Sequence, residues 1–274
     1  MHGLPSLAIL TSLVLVSSPA AQAQTSTAKR LAMAELAVEN ATVRVEMKDI
    51  VSDAEFCKLR FKVVNKGDGF VFVDPNKFKV MLGGKAMVFA EKAFVLGPHD
   101  EASRTLNVMG EGGYRSEQLA IDFADGFQTA TAKGEVAALE DFSLPAAKNQ
   151  VSSGAFTVNL RGLDQQTKKT VAKFSVTYGG ISVGIVDPSK IGVRIPAGQT
   201  FANLLSKSKP NLIEGGGSDN FEVVAEIPAK VVDMQFTTLT VVWNDAMVES
   251  HKQPLAVDAV TFAIDAAKTA AMNK

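Results

Sequence analysis

The chain has 274 residues, 28 Lys plus Arg against 29 Asp plus Glu, a formal charge of −1 and a single cysteine. Near-neutrality excludes the broad basic face that nucleic acid requires and the polybasic patch that anionic membranes attract. One cysteine excludes an internal disulfide framework.

Residues 7–16 (LAILTSLVLV) form an apolar run too short to cross a bilayer, followed by Ala21-Gln22-Ala23, an A-x-A cleavage pattern. We read residues 1–23 as a signal peptide that is removed. The mature protein is then periplasmic or extracellular and keeps no transmembrane segment, because no later run approaches about 18 apolar residues. Residues 24–40 form a lead-in, with a candidate helix over 28–37.

From residue 43 the hydrophobic period is 2. Val43, Val45 and Met47 alternate with Arg44, Glu46 and Lys48, as in a strand with one buried and one wet face. Cys57, Leu59, Phe61 and Val63 alternate with Lys58, Arg60 and Lys62. Cys57 therefore faces the core, and no neighbour offers to lower its pKa. Gly67 marks a turn, and the short strand over 70–73 stops at Asp74-Pro75. Proline closes a strand because it cannot donate to a ladder, and the aspartate before it fixes a turn through its own backbone. Leu119, Ile121 and Phe123 alternate again, and a last strand over 136–144 is expected to close this unit.

Residues 145–153 are a short polar link, after which the pattern starts afresh. Residues 154–194 overlie 41–81 at a constant shift of 113 with no gap. Val45, Phe61, Val63, Gly67, Val73, Asp74, Pro75, Lys77 and Val80 meet Val158, Phe174, Val176, Gly180, Val186, Asp187, Pro188, Lys190 and Val193. Later, Phe123-Ala124-Asp125 meets Trp243-Asn244-Asp245 at a shift of 120, so the second copy has gained seven residues. Their expected place is 205–220, which is rich in Gly, Ser, Pro and Asn. A final strand over 255–264 is expected to close the second unit, with a candidate helix over 263–272 and a tail over 266–274.

Some seven short strands per unit, with turn signals every 8–12 residues, predict an all-β chain. The reading is two tandem immunoglobulin-like antiparallel β-sandwich domains, 41–147 and 148–265, related by internal duplication. The segment FKVVNKGDGFVFVDPNKFKVMLGGK (61–85) resembles secreted bacterial immunoglobulin-like modules of unknown function. The second copy keeps Val186-Asp187-Pro188-Ser189-Lys190 but has Tyr178 in place of Asn65. The resemblance implies an extracytoplasmic module and no particular activity.

Catalytic chemistry is poorly provided for. His99 and His251 lie in different units, and neither a G-x-S-x-G elbow nor an H-E-x-x-H helix is present. One Cys and two separated His do not furnish a closed zinc site. The Asx-Gly turns at 65–69 and 217–220 lack the spacing of a calcium loop. We therefore expect no catalytic residue, metal or cofactor. Trp243 alternates onto the core face, which leaves Tyr114 and Tyr178 as candidate stacking platforms. Asn40-Ala41-Thr42 is a glycosylation sequon.

Two functions fit. The first is an exported, non-enzymatic binding or structural module of the cell envelope that acts through protein contacts. The second is a small-ligand carrier or enzyme with its site between the two units, near 97–103 and 206–220. Duplicated units begin with the same surfaces, so a role held by one copy should map to where the copies differ in length. That points to Lys207, Lys209 and Glu214 as polar contacts, and to Leu212 and Ile213 as apolar anchors, for an envelope protein partner.

Overall fold

The computed structural model describes residues 28–131, 133–205, 207 and 209–274. The expected signal peptide lies outside them. Nearly everything described is antiparallel β-structure, and among the described residues the α-helix is Ala266–Met272.

Alternation builds the first core. Val43–Ser52 pairs with Cys57–Asn65, which pairs with Glu101–Met109. The sheet continues from Glu101–Met109 into Lys85–Phe89, which forms a hairpin with Lys79–Leu82 through Gly83 and Gly84, whose φ angles are 59° and 79°. A two-residue turn with both residues left-handed matches the twist of the strands it joins, and glycine adopts it without strain. Phe61, Phe78, Phe123 and Phe127 cluster in the first core, with ring centroids 5.1–6.5 Å apart. Cys57 is buried there as expected.

The second half repeats the arrangement. Phe156–Gln165 pairs with Lys169–Tyr178, which pairs with Ser218–Glu226. Each Asp-Pro begins a 3-10 turn. Asp74 Oδ1 accepts from the Asn76 N–H at 3.2 Å, and Asp187 Oδ1 accepts from the Ser189 N–H at 3.1 Å. These carboxylates fix backbone turns.

Phe70–Val73 and Val183–Val186 are buried at every position, where a one-faced strand would alternate. Val71, Val73 and Val186 face their own cores. Phe70, Phe72 and Ala130 meet Val183, Ile185 and Val248 in a third apolar cluster that joins the two halves. Gly184 lets rings close in on that strand, because a Cβ there would lie 2.7 Å from Tyr178 and 2.8 Å from Phe156.

Three expectations are corrected. Residues 28–37 are not helical. Leu31–Ala32 and Leu36–Glu39 are strands paired with Val43–Ser52, because Leu31, Ala32 and Met33 are all buried and Leu36 and Val38 pack on the core.

The closing strands are crossed. Phe142–Leu144 pairs with Leu239–Val242, and Glu135–Val136 with Met247–Ser250. Conversely, Val260–Phe262 pairs with Leu119–Asp122, and Gln253–Pro254 with Phe127–Ala130. Phe142 and Leu144 thus fill the second core, while Val260 and Phe262 fill the first. Residues 41–147 and 148–265 each lend the other its last strand. The crossings are short, four residues from Ala130 to Glu135 and two from Ser250 to Gln253. Within either half, alternation reads the same whichever core receives the strand, so period alone could not reveal the exchange.

The length gain is also divided. Phe94 and Asn211 hold matching registers, opposite Val73 and Val186, and stand 117 apart. Val108 and Ala225 keep that separation. The remaining gain falls after Glu226, where residues 227–238 replace the shorter 110–118.

Candidate functional site

The five residues singled out by length do not form one exposed loop. Asn211–Glu214 is a strand paired with Val183–Val186. Ile213 is 3% exposed in the second core, and Leu212 packs half-buried on the cluster between the halves. They are structural residues, which corrects the picture of a Leu-Ile anchor. Glu214 accepts from Lys252 Nζ at 2.6 Å, Lys209 is ion-paired with Asp100, and Lys207 is exposed. The Lys209–Asp100 pair brings together the two loops proposed to flank a site between the halves.

A cleft of about 250 Å³ opens elsewhere between the halves, with no residue of 97–103 in its wall and only Glu214 of 206–220; Phe72, Phe94, Asp125, Gln128 and Lys252 also line it. Lys252 Nζ sits 4.3 Å from the Phe72 ring centroid, a cation–π distance. Lys252 thus spans Phe72 and Glu214 with one side chain. The cleft offers small apolar walls and a few charges.

The reactive side chains elsewhere are held for other purposes. Burial, with the Asp53 charge second, pushes the Cys57 thiol up to about 12, so the nucleophilic thiolate is suppressed at neutral pH. Tyr178 donates to Glu249 Oε1 at 2.7 Å, and burial followed by that carboxylate pushes its hydroxyl up to about 12. Trp243 is buried and donates to the Glu140 carbonyl at 2.8 Å, while the Tyr114 hydroxyl donates to the Gly110 carbonyl at 2.8 Å. His99 is exposed and 2.8 Å from Asp68, in the opposite half from exposed His251. Asn40 uses its amide to donate to the Ala256 carbonyl at 2.7 Å, tying the lead-in to the C-terminal segment. Asn65 is buried and donates to the Gly69 and Gly97 carbonyls at 2.7 Å each, so this turn amide serves backbone closure.

The feature that alternation missed is Phe236, which is 83% exposed. Its turn, Met234–Phe236, is firmly held. Asp233 caps it by accepting from the Gln235 N–H at 3.1 Å. Gln165 Nε2 donates to the carbonyls of Met234 and Thr237 at 2.7 and 2.9 Å. The Met234 N–H donates to the Thr167 carbonyl at 3.2 Å, and the Met234 side chain is buried in the second core. A buried methionine and four hydrogen bonds thus present an aromatic ring outward. Val231, 44% exposed, lies on the same connection. Beside it runs an open groove lined by Lys168, Lys169, Glu226, Ile227, Pro228, Ala229 and Lys230. The sequence signals were the Asp233 cap position and the extra residues of 227–238, both masked by the richer Gly-Ser segment upstream.

No family model matches this chain, and no curated protein does. Among solved structures, it aligns to red sea bream transglutaminase at 8% identity and a TM-score of 0.19, over 84% of this chain and 31% of that one. The chain therefore spans about a third of that enzyme's length, and a likeness this slight carries no argument about activity.

Proposed function

We propose that this chain is an exported, non-enzymatic module of the cell envelope, built of two immunoglobulin-like sandwiches that arose by internal duplication and acting through protein contacts. The duplication is supported by the matched registers of the two halves and by the twin Asp-Pro turns. The observation that carries the functional reading is Phe236. An exposed phenyl ring in water is unfavourable by about 2 kcal/mol relative to a buried one. Here it is held in a capped, pinned turn, so little ordering entropy remains to be lost when a partner covers it. Ordered aromatic anchors of this kind dominate protein interfaces. The connection that carries it is longer than its counterpart, as a role specific to one half requires.

The test is capture from an envelope fraction under mild crosslinking, with wild type and Phe236→Asp compared at equal loading. The reading expects a discrete partner that is lost with Phe236→Asp while the melting temperature is unchanged. Equal recovery by both proteins contradicts it.

The rival reading, a small-ligand site between the halves, has the cleft at Phe72 and Phe94 as its observation. The bridging of Phe72 and Glu214 by Lys252 weighs against it, because a ligand must displace that side chain.

A further inference from the structure

The C-terminal segment from Gln253 onward is attached to the second half in sequence but to the first half in space. Gln253–Pro254 and Val260–Phe262 extend sheets of the first half, and Val260 and Phe262 fill its core. The Leu255 N–H donates to the Phe127 carbonyl at 3.0 Å, and Asn40 Nδ2 to the Ala256 carbonyl at 2.7 Å. The helix Ala266–Met272 then docks beside Leu31–Ala32. The Ala32 N–H donates to Thr269 Oγ1 at 2.9 Å, Asn273 Oδ1 accepts from the Lys29 and Arg30 N–H groups, and Lys268 pairs with Glu35 at 2.7 Å. All of these partners lie between Lys29 and Thr129. Only His251 and Lys252 join the segment to the strand Met247–Ser250.

We infer that this arm, residues 253–274, is an exchangeable closing element, and that its alternative partner is a second copy of the chain. Among the described residues the arm's strands and buried side chains belong to the first half and none to the second core, so releasing the arm leaves the second core packed. A neighbouring copy's arm carries the same residues and remakes every bond described above in the first half. The contacts therefore do not choose between self-closure and exchange. The choice falls to the effective concentration of the tethered arm, on the order of millimolar for a short flexible connection. Well below that concentration the closed monomer dominates. Near it, or when the two-residue hinge is shortened so that it no longer reaches the chain's own acceptor, two copies exchange arms reciprocally and form a closed two-fold dimer. This inference is independent of the contact assigned to Phe236, which lies in the second half and takes no part in the exchange.

The test uses the full chain with cysteines at Ala120 and Thr261, which stand directly opposite across the closing pair. The double variant, Ala120→Cys with Thr261→Cys, should form a disulfide within one chain at about 1 μM, well below the millimolar tether. The two single variants, unfolded together, refolded at about 1 mM and oxidised, should give a covalent heterodimer, with the yield falling roughly 100-fold or more at 1 μM. Deleting His251 and Lys252 should shift the unmodified chain from monomer to dimer by light scattering. Absence of the heterodimer at 1 mM overturns the inference. So does failure of the double variant to close, because that denies the register on which docking of the arm rests.

Discussion

Replacing Phe262 by Ala removes a side chain that is buried in the first core although it belongs to the last 15 residues of the chain. Phe262 lies opposite Leu119, on a strand that also buries Val260. Truncating a buried phenylalanine costs about 3–5 kcal/mol through lost transfer energy and the cavity left behind. Every 1.4 kcal/mol is tenfold, so about 4 kcal/mol raises the open population of the first core by roughly 10³. Two reporters separate the halves without engineering, since Cys57 is buried in the first core and the single tryptophan, Trp243, in the second. The rate at which a bulky thiol reagent labels Cys57 under native conditions should rise by about 10³ in Phe262→Ala, because labelling follows the open population. Leu144→Ala, which costs about 2–5 kcal/mol, should act first on Trp243 fluorescence in a denaturant titration and accelerate Cys57 labelling far less. If Leu144→Ala exposed Cys57 more than Phe262→Ala does, the crossing of the closing strands would be refuted.

Other expectations follow from single side chains. Cys57→Ala should cost about 1 kcal/mol by urea titration, through the small cavity it leaves. Asn203, buried, donates to the Pro188 and Glu222 carbonyls at 3.1 Å and accepts from the Val224 N–H at 2.9 Å and the Leu205 N–H at 3.2 Å; Asn203→Leu should cost about 3 kcal/mol by orphaning these groups. The raised pKa of Tyr178 means that the unfolded chain releases its proton first, so stability is full below about pH 10 and falls as pH rises toward about 12. Cys57 acts with the same sign from about pH 9. Melting temperatures across pH 9–12 should therefore fall less steeply in Cys57→Ala with Tyr178→Phe than in wild type, and an unchanged slope would argue against both assignments.

Much of the β-structure was legible because its faces are so unequal. The alternation of Cys57, Leu59, Phe61 and Val63 with Lys58, Arg60 and Lys62 settles both strand and burial, and the twin Asp-Pro turns follow from proline's missing donor. Where a strand is buried on both faces, period fails. Phe70–Val73 and Val183–Val186 read as simple strands, yet they hold the two halves together through Phe70, Phe72, Val183 and Ile185. The crossing of Phe142–Leu144 and Val260–Phe262 was hidden for another reason. Two acceptor strands present the same register to either closing strand, so the choice is made by short connections in three dimensions. Ile213 was misread because a turn-rich flank was extended through the strand Asn211–Glu214. Phe236 was passed over because an isolated aromatic residue in a sequence reads as core, and only its pinned turn turns it outward.

The contact we propose is centred on Phe236, and a hydrogen-exchange footprint of the captured complex locates it. Protection confined to residues 165–169 and 227–238, and absent in Phe236→Asp, is the predicted result. Protection centred instead on residues 72–77 and 125–128, around the cleft between the halves, would contradict it.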